Sequence, residues 1–252
     1  MGFGFFAKHN LSQAARKETV DLASLLQQDL QRRQELLQLK ANWISEELSV
    51  VEVIAQGDRA PILSILLPIQ VSLDLDLLKV MDFQRQPLLY SQQGALDGVT
   101  LDDTNLNVAA QTGLDLAGIL LAEGNASPSL VHVTSVKSSE QLLATLAVGI
   151  AVDDELLQQI RGSASMHLVA FQGDRIVAST LPDRGESWLP PAPDTAPMRV
   201  SLANEPYLVK TVELTSFDDA TLSIAVLKSI RATEQAERNL WLTVASFGVL
   251  GG

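Results

Sequence analysis

The pattern of apolar and polar positions near the start of the chain predicts one long amphipathic helix. From about Ser12 to Gln56 there is no Pro and no Gly, and Leu, Gln, Glu, Lys, Arg and Ala dominate. Apolar residues recur there every seven positions, which places them on one helix face. The stripe consists of Leu30, Leu37, Ile44 and Val51, with Leu26, Ala41, Leu48 and Ala55 beside them. The segment Gln56–Pro61 then ends the predicted helix.

The partner of this apolar stripe remains open from the sequence. Arg33, Lys40 and Glu47 lie next to the stripe and interrupt a continuous seam. The helix therefore either pairs with a second copy as a coiled coil or packs against its own chain along its length.

The rest of the chain alternates between strand and helix patterns and contains an internal duplication. FQRQPLLYS (Phe83–Ser91) and FQGDRIVAS (Phe171–Ser179) each read as the turn and second strand of a hairpin, with LLKVMD and HLVA as the first strands. ATLAVGI (Ala144–Ile150) and ATLSIAV (Ala220–Val226) each read as a buried strand followed at once by a polar helical stretch. Two matches in the same order predict a repeated unit.

Further elements complete the two halves. GILLAEG and SLVHVTSV predict two strands in the first half, and Met198–Leu214 predicts two more around a turn at Asn204–Pro206. Leu101–Gly113 predicts a short helix capped by Asp102 or Asp103, and Val152–Gly162 predicts a helix that links the halves. The predicted divisions are a long helix in 1–58, a first module in 59–152, a second in 153–230 and a final helix in 231–252.

The final helix changes character abruptly from polar to apolar. Leu240–Gly252 carries no charge, and Trp241 stands where an interfacial aromatic anchor is expected. A span requires about 20 such residues, so we interpret this run as the first half of a transmembrane helix. Phe3–Ala7 is either a terminal tip or the stub of an earlier span.

Composition excludes several classes of function. The net charge of −12 and the pI near 4.6 argue against nucleic-acid binding. No Cys is present, which excludes disulfides, zinc thiolate sites and Cys nucleophiles. The three His residues lack metal-ligand spacing, and the Asp pairs are interpreted as helix caps and turns. The sequence therefore predicts no catalytic residues, no metal site and no cofactor in this segment.

The order of these elements resembles a known family. LLATLAVGIAVDDELLQQIRG followed by HLVAFQGDRIVASTL resembles the passage from the membrane-distal module, through the linking helix, into the proximal hairpin of double Cache sensor domains. LDLLKVMDFQRQPLLYS resembles the first hairpin of the distal module, and the likeness covers roughly residues 12–236. The resemblance implies an α+β fold in which a long N-terminal helix carries two stacked PAS-like antiparallel sheets, followed by a C-terminal helix that enters the membrane.

The resemblance also implies a function. Such domains are extracytoplasmic (periplasmic) input modules of transmembrane receptors of the histidine kinase, cyclase or chemotaxis type. We expect a small ligand in the distal module, a homodimer through the long helix and a membrane anchor at the C-terminal span. The candidate ligand-binding residues are Tyr90, Asn107, Gln111, His132 and Thr134.

Two further expectations concern the ligand and the alternative function. The stretch Leu101–Thr134 contains no Arg or Trp, which disfavours a ligand with a free carboxylate because a carboxylate needs a cationic partner. The alternative function is a membrane-anchored structural or protein-interaction stalk without a small-molecule pocket.

Overall fold

A computed structural model describes most of the chain. It covers residues 2–84, 86–92, 95–96, 115–121, 127–139, 141–182, 188–193, 195–215, 221–236 and 238–239, with the side chains of 2–12 and 95–96 left undescribed. The chain divides into two compact units. The six-stranded unit comprises Asp29–Leu156 and Leu214–Leu222, and the five-stranded unit comprises Met1–Gln28, Leu157–Glu213 and Ser223–Gly252.

Three helices precede the first sheet. They are α1 (Gly2–Glu46), α2 (Leu48–Gln56) and α3 (Arg59–Ser72). In α1 the predicted stripe is buried, with Leu26, Leu30, Leu37, Ala41 and Ile44 at most 2% exposed. The helix begins at Gly2, ten residues before the predicted start.

The prediction of one uninterrupted helix to Gln56 is wrong at Glu47. The backbone of Glu47 is extended (φ −65°, ψ 120°), and the buried face changes phase there. Leu48 is 69% exposed although it belongs to the predicted stripe, whereas Val50 and Val53 are buried. The break therefore turns a different set of apolar side chains inward than a straight helix would.

Local signals end α2 and begin α3. Gly57 adopts the left-handed conformation (φ 70°) that glycine tolerates without a Cβ clash, and its N–H reaches the carbonyls at the end of α2. The Asp58 side chain then accepts from the Ala60 N–H at 3.2 Å and caps α3. The break predicted at Gln56–Pro61 is confirmed, but α3 lies where the sequence analysis assigned no element.

The six-stranded unit contains one antiparallel sheet. Its strands are β1 (Leu77–Asp82), β2 (Pro87–Gln92), β3 (Ala95–Leu96), β4 (Leu116–Leu120), β5 (Ser129–Ser138) and β6 (Gln141–Ala151). The strand order is β3-β2-β1-β6-β5-β4. The predicted first hairpin and the buried strand at Ala144–Ile150 are confirmed.

A short helix, α4 (Asp154–Arg161), follows β6 as predicted. The Asp153 carboxylate accepts from the Leu156 N–H at 2.9 Å, which confirms the capping role predicted for this Asp pair. The other two pairs, Asp102–Asp103 and Asp218–Asp219, lie outside the described residues, as does the helix predicted at Leu101–Gly113.

The five-stranded unit contains the second antiparallel sheet. Its strands are β7 (His167–Gln172), β8 (Arg175–Ser179), β9 (Met198–Leu202), β10 (Glu205–Thr215) and β11 (Thr221–Ser229). Their order, β8-β7-β11-β10-β9, repeats the order β2-β1-β6-β5-β4 of the first sheet. The predicted duplication is therefore confirmed at the level of topology.

Two details of the second sheet refine the predictions. The turn between β9 and β10 lies at Ala203 and Asn204, both with positive φ, slightly earlier than the predicted Asn204–Pro206. A helical segment at 231–236 follows β11, as the sequence indicated.

The predicted membrane span falls outside the described residues. Within the part of the chain that the structure describes, no helix has both the length and the apolar character needed to cross a membrane. Residues 240–252 lie beyond that part, so a span there stays a prediction.

Candidate ligand-binding site

The register of the first sheet decides which side chains share a face. In an antiparallel pair, directly opposed residues project to the same side. One row across the sheet is Tyr90, Lys79, Ala147, Val133 and Leu116, and the next row is Gln92, Leu77, Gly149, Val131 and Gly118. We call the side that carries these two rows the Lys79 face.

Lys79 is the unusual member of this face. It lies in the middle of β1 between Leu78 and Val80, and it is only 9% exposed. Burial lowers the pKa of its ammonium group from 10.5 to about 8. A cation held in a buried strand is costly, and such perturbed groups concentrate at functional sites.

Tyr90 lies directly beside Lys79. The Lys79 Nζ atom is 5.8 Å from the centroid of the Tyr90 ring, within the range of a cation–π contact. The Tyr90 hydroxyl donates to Gln92 Oε1 at 2.6 Å, and burial raises the pKa of the Tyr90 phenol. Lys79, Tyr90 and Gln92 therefore form a connected polar corner at the β1–β2 end of the face.

The remainder of the Lys79 face is apolar. Leu77, Leu120, Val131, Val133 and Ala147 form a buried cluster, and Leu116 packs against it. In β6 the residues on this face are small, since Ala147 is followed two positions later by Gly149. A Cβ added at Gly149 would lie 2.7 Å from the carbonyl oxygen of Leu130. The Lys79 face thus has polar side chains at its β1–β2 end and apolar side chains over the rest.

The helices α2 and α3 both contact strands of this sheet. Among the described residues, the cluster on the Lys79 face contains strand residues only. Because α2 contacts β5 and β6 and α3 contacts β2, we infer that both helices cover the other side of the sheet.

His132 and Thr134 project from that other side. His132 pairs with Val148 and Ala117, and Thr134 pairs with Leu146, one residue out of phase with the Lys79 rows. His132 is 3% exposed, and neither of its ring nitrogens has a hydrogen-bond partner among the residues that the structure describes. Burial lowers its pKa, and the charge of Asp115 opposes this with a smaller effect.

Thr134 has a defined partner on the same side. Its Oγ1 donates to the Asp115 carboxylate at 2.7 Å. The structure therefore brings His132 and Thr134 together but places Tyr90 on the opposite face. The other two candidates, Asn107 and Gln111, lie outside the described residues.

The five-stranded unit presents a different surface at the equivalent place. Each first hairpin contains an irregularity in register, between Val80 and Met81 in one sheet and between Ala170 and Phe171 in the other. Aligning these irregularities makes Val169 the counterpart of Lys79. Val169 lies in a buried cluster with Phe171, Tyr207 and partly buried Trp188, in which the rings of Phe171 and Trp188 meet edge to face at 5.1 Å.

A proline-rich segment is hydrogen-bonded to β10, the strand that also contributes Tyr207 and Val209 to this cluster. Thr211 Oγ1 donates to the carbonyl oxygen of Pro191 at 2.6 Å. Lys210 Nζ donates to the carbonyl oxygens of Pro193 and Thr195. The equivalent face of the second sheet is therefore filled by aromatic side chains and carries no buried cation among its cluster residues.

Lys79 and Gln92 are not among the binding residues predicted from the sequence. The available signal was a single lysine inside the apolar run LLKVMD, which periodicity assigns to a strand without saying what the lysine faces. No set of three or more His, Cys, Asp or Glu residues able to hold a metal occurs within the described ranges.

Comparisons with known proteins identify the fold. No protein-family model matches the chain, and no curated protein matches it. Solved structures do. The periplasmic domain of Vibrio cholerae LuxQ aligns with a TM-score of 0.58 at 18% identity, covering 84% of this chain and 99% of that one.

Two further structures extend the comparison. The sensor domain of the V. cholerae histidine kinase DctB aligns with a TM-score of 0.59 at 11% identity, covering 86% of this chain and 98% of that one. The ligand-binding domain of the Campylobacter jejuni chemoreceptor Tlp3, in complex with L-valine, aligns with a TM-score of 0.54 at 16% identity, covering 89% and 96%. These are double Cache-type domains. The chain has the double Cache fold, as the sequence resemblance indicated.

Proposed function

We propose that this chain is the ligand-sensing, extracytoplasmic input domain of a transmembrane signal-transduction receptor. The six-stranded unit is the membrane-distal module and binds a small molecule on the Lys79 face. The five-stranded unit is the membrane-proximal module and passes the signal to the C-terminal helix. The output is of the histidine kinase, cyclase or chemotaxis type.

One observation carries the proposal. The two sheets share the order of five strands, and at the position where the first sheet has a buried lysine beside a tyrosine the second has a valine in an aromatic cluster. A buried charge is retained against its cost where it has a role. The similar domains of LuxQ, DctB and Tlp3 support the location and the receptor context.

The segment after β11 supports the direction of signalling. Arg231 Nη1 pairs with Glu205 Oε2 at 3.2 Å, and Arg199 Nη2 pairs with Glu234 Oε1 at 2.7 Å. Both arginines are largely exposed, and such surface pairs contribute little to stability. Contacts of this kind fasten the 231–236 segment to the β9–β10 hairpin, yet can rearrange at small cost.

Exposed apolar residues on α1 support a homodimer. Leu36, Leu39 and Trp43 are 49–66% exposed and follow the three- and four-residue spacing of one helix face. The homodimer predicts that Leu39→Glu or Trp43→Glu shifts the chain toward monomer in sedimentation equilibrium. Gln38→Glu, at an exposed neighbouring position, is the control. An unchanged mass for all three variants would contradict dimerisation through this face.

Thermal melting of the full chain against a metabolite panel tests the sensory role. The panel contains amino acids, amines, small carboxylates, purines and sugars. A ligand at 100 times its dissociation constant stabilises the folded state by about 2.7 kcal/mol, which raises Tm by several degrees. A rise with one chemical class supports a sensor. A melting temperature that no member of the panel changes, measured on a folded dimer, would favour the alternative function as a structural or protein-interaction stalk.

A further inference from the structure

His132 is a buried titratable group that the proposed ligand site does not use. It projects from the side of the first sheet opposite Lys79, and only 3% of its surface is exposed. Within the described part of the chain, neither ring nitrogen has a hydrogen-bond partner. Most buried polar side-chain atoms in proteins do have one, so an imidazole with two unused nitrogens requires an explanation.

The surroundings of His132 on this side of the sheet are apolar. Val148 lies directly opposite it on β6, Leu130 lies two positions earlier on β5, and both are fully buried. Strand β6 contains no titratable residue, and α2, which contacts β5 and β6, contains only Glu52, which is exposed. The other ionisable residue of β5, Lys137, is also exposed. A proton on the imidazole would therefore place a positive charge among apolar side chains, which is costly.

Asp115 is the acidic group whose charge acts on His132. Ala117 on β4 lies opposite His132, so Asp115, two positions earlier, is a diagonal neighbour of the imidazole on the same side of the sheet. Diagonal neighbours of this kind are within reach of aromatic side chains. The carboxylate is instead engaged by Thr134, whose Oγ1 donates to it at 2.7 Å. One carboxylate thus has two adjacent groups that could donate to it, and the neutral hydroxyl is its partner.

We propose that His132, Thr134 and Asp115 form an acid-sensitive switch, in which the protonated imidazole takes the Asp115 carboxylate from the Thr134 hydroxyl. A charge-assisted hydrogen bond from an imidazolium N–H is stronger than one from a neutral hydroxyl. Because Asp115 directly precedes β4, the exchange of partner moves the start of this strand. The proton is then a stimulus in addition to the proposed small molecule, and it acts on the side of the sheet opposite Lys79.

The pH range of the switch follows from the burial of the imidazole. Desolvation lowers the pKa of His132 from its ordinary value of 6.5, and the charge of Asp115 opposes this with a smaller effect. The observed arrangement therefore excludes the proton, so it is stable at pH 7 and is opposed below pH 6.5. An arrangement with a paired imidazolium holds the proton better. Each unit by which its pKa is higher changes the ratio of the two arrangements by up to tenfold on acidification.

Nuclear magnetic resonance of the full ¹⁵N-labelled chain tests the switch. The chain contains three histidines, so single substitutions assign each imidazole ring. We expect His132 to titrate below pH 6.5, with the backbone amide signals of Asp115 and Thr134 shifting at the same midpoint. A titration of His132 that leaves those two amides unchanged would overturn the inference, and so would a ring that stays neutral between pH 5 and pH 8.

Two substitutions should move the midpoint of His132 in opposite directions. Thr134→Val removes the hydroxyl that competes for the Asp115 carboxylate, so the pKa of His132 should rise. Asp115→Asn removes the anion, so this pKa should fall. Thr134→Ser keeps the hydroxyl and is the matched control, with the wild-type midpoint.

Each outcome of the substitutions decides for or against the switch. A midpoint that stays constant or falls in Thr134→Val would contradict the competition for the carboxylate. The melting temperature at pH 7.5 shows whether each variant is folded. If Thr134→Val does not fold, the Asp115→Asn midpoint decides alone, and an unchanged value there overturns the inference.

Hydrogen exchange at pH 5.5 and pH 7.5 tests whether the switch reaches β4. After correction for the intrinsic pH dependence of exchange, protection of the β4 amides should fall at pH 5.5 in the wild type. It should stay constant in His132→Gln, which cannot be protonated. Strand β9 has the equivalent place in the second sheet and is the internal control. Constant protection of β4 in the wild type, an equal loss in β9, or a loss that persists in His132→Gln would contradict the switch.

The outcomes separate this inference from the proposed small-molecule function. All of these measurements use the chain without ligand, so a failure of the switch leaves the proposal for the Lys79 face as it stands. A metabolite panel that leaves the melting temperature unchanged counts against small-molecule sensing and does not alter the midpoint of His132. A confirmed switch together with such a panel result would make the proton the stimulus of this domain.

Discussion

The two sheets of this protein share a topology but present different surfaces at equivalent positions. In the six-stranded unit the position carries Lys79, next to Tyr90. In the five-stranded unit it carries Val169, within a cluster of aromatic and aliphatic side chains. The contrast continues in the buried strands, where Gly149 aligns with Ala225. One sheet is packed for stability, whereas the other retains a charge and small residues that do not maximise stability.

The comparison also shows where sequence similarity misleads. The Phe-Gln dipeptide occurs in both hairpins, but its two copies are not structurally equivalent. Phe83 lies in the turn after β1 and is 62% exposed, whereas Phe171 lies within β7 and is fully buried. The aligned irregularities in register make Met81, two residues earlier, the counterpart of Phe171. The two hairpins are therefore a structural repeat, but the structural alignment is shifted by two residues from the alignment of the Phe-Gln dipeptides.

The largest expected effect separates these two phenylalanines. Phe171→Ala should destabilise the protein by about 3–5 kcal/mol, because it opens a cavity in a packed aromatic cluster. Phe83→Ala should change the free energy of unfolding by less than about 0.5 kcal/mol, as for other exposed positions. Urea denaturation measures both values. Hydrogen exchange should locate the loss in β7–β11. Similar losses for the two variants would contradict the assigned phase.

Lys79→Val should stabilise the protein while it removes ligand binding. The change in pKa from 10.5 to about 8 corresponds to a cost on the order of 3 kcal/mol at neutral pH. Between pH 8 and 10.5 the unfolded chain binds more protons at this position, so wild-type stability rises with pH there. The advantage of the variant should therefore be full at pH 7 and shrink toward pH 10.5.

Denaturant unfolding of wild type and Lys79→Val at pH 7 and pH 10 checks this prediction, with Lys137→Val as the comparison. A variant less stable than wild type at pH 7 would indicate that Lys79 stabilises the fold. Lys79 would then be a structural residue, and the proposed difference in role between the two sheet faces would be wrong.

Gly149→Ala tests the close approach of two strands in the first sheet. The new methyl group would meet the carbonyl oxygen of Leu130 at 2.7 Å, and overpacking of this kind costs about 1–3 kcal/mol. The aligned position in the second sheet, Ala225, accommodates a methyl group and is fully buried. Thermal melting measures the effect.

The control for Gly149→Ala is a glycine in a hairpin turn. At Gly173 an added Cβ has no neighbour within 4 Å, and only the positive φ of 59° opposes the change. Gly173→Ala should therefore cost about 1 kcal/mol, the strain of a left-handed residue. If Gly149→Ala has the melting temperature of the wild type, the two strands move apart enough to accept the methyl group without loss of stability.

The smallest effect concerns His132 on the helix side of the first sheet. Its pKa is lowered, chiefly by burial, so the unfolded chain binds more protons below pH 6.5. Stability should therefore fall as the pH decreases below 6.5. His132→Leu should weaken this dependence. Melting temperatures at pH 5.5 and 7.5 provide the measurement.

The sequence by itself determined the elements that local periodicity encodes. The buried stripe of α1, both hairpins, the strands around Ala144–Ile150 and Ala220–Val226 and the cap at Asp153 follow from spacing and short-range chemistry. Two ordered repeats were sufficient to predict the duplication. These features depend on residues close together in the chain, so a single sequence contains them.

Only the tertiary structure decided the break at Glu47 and the composition of the candidate site. The phase of a helix changes when packing favours another set of buried side chains, and no local signal marks Glu47. In a sheet, a shift of one residue moves a side chain to the opposite face. Pairing between strands far apart in sequence therefore separated Tyr90 from His132 and brought Lys79 beside Tyr90.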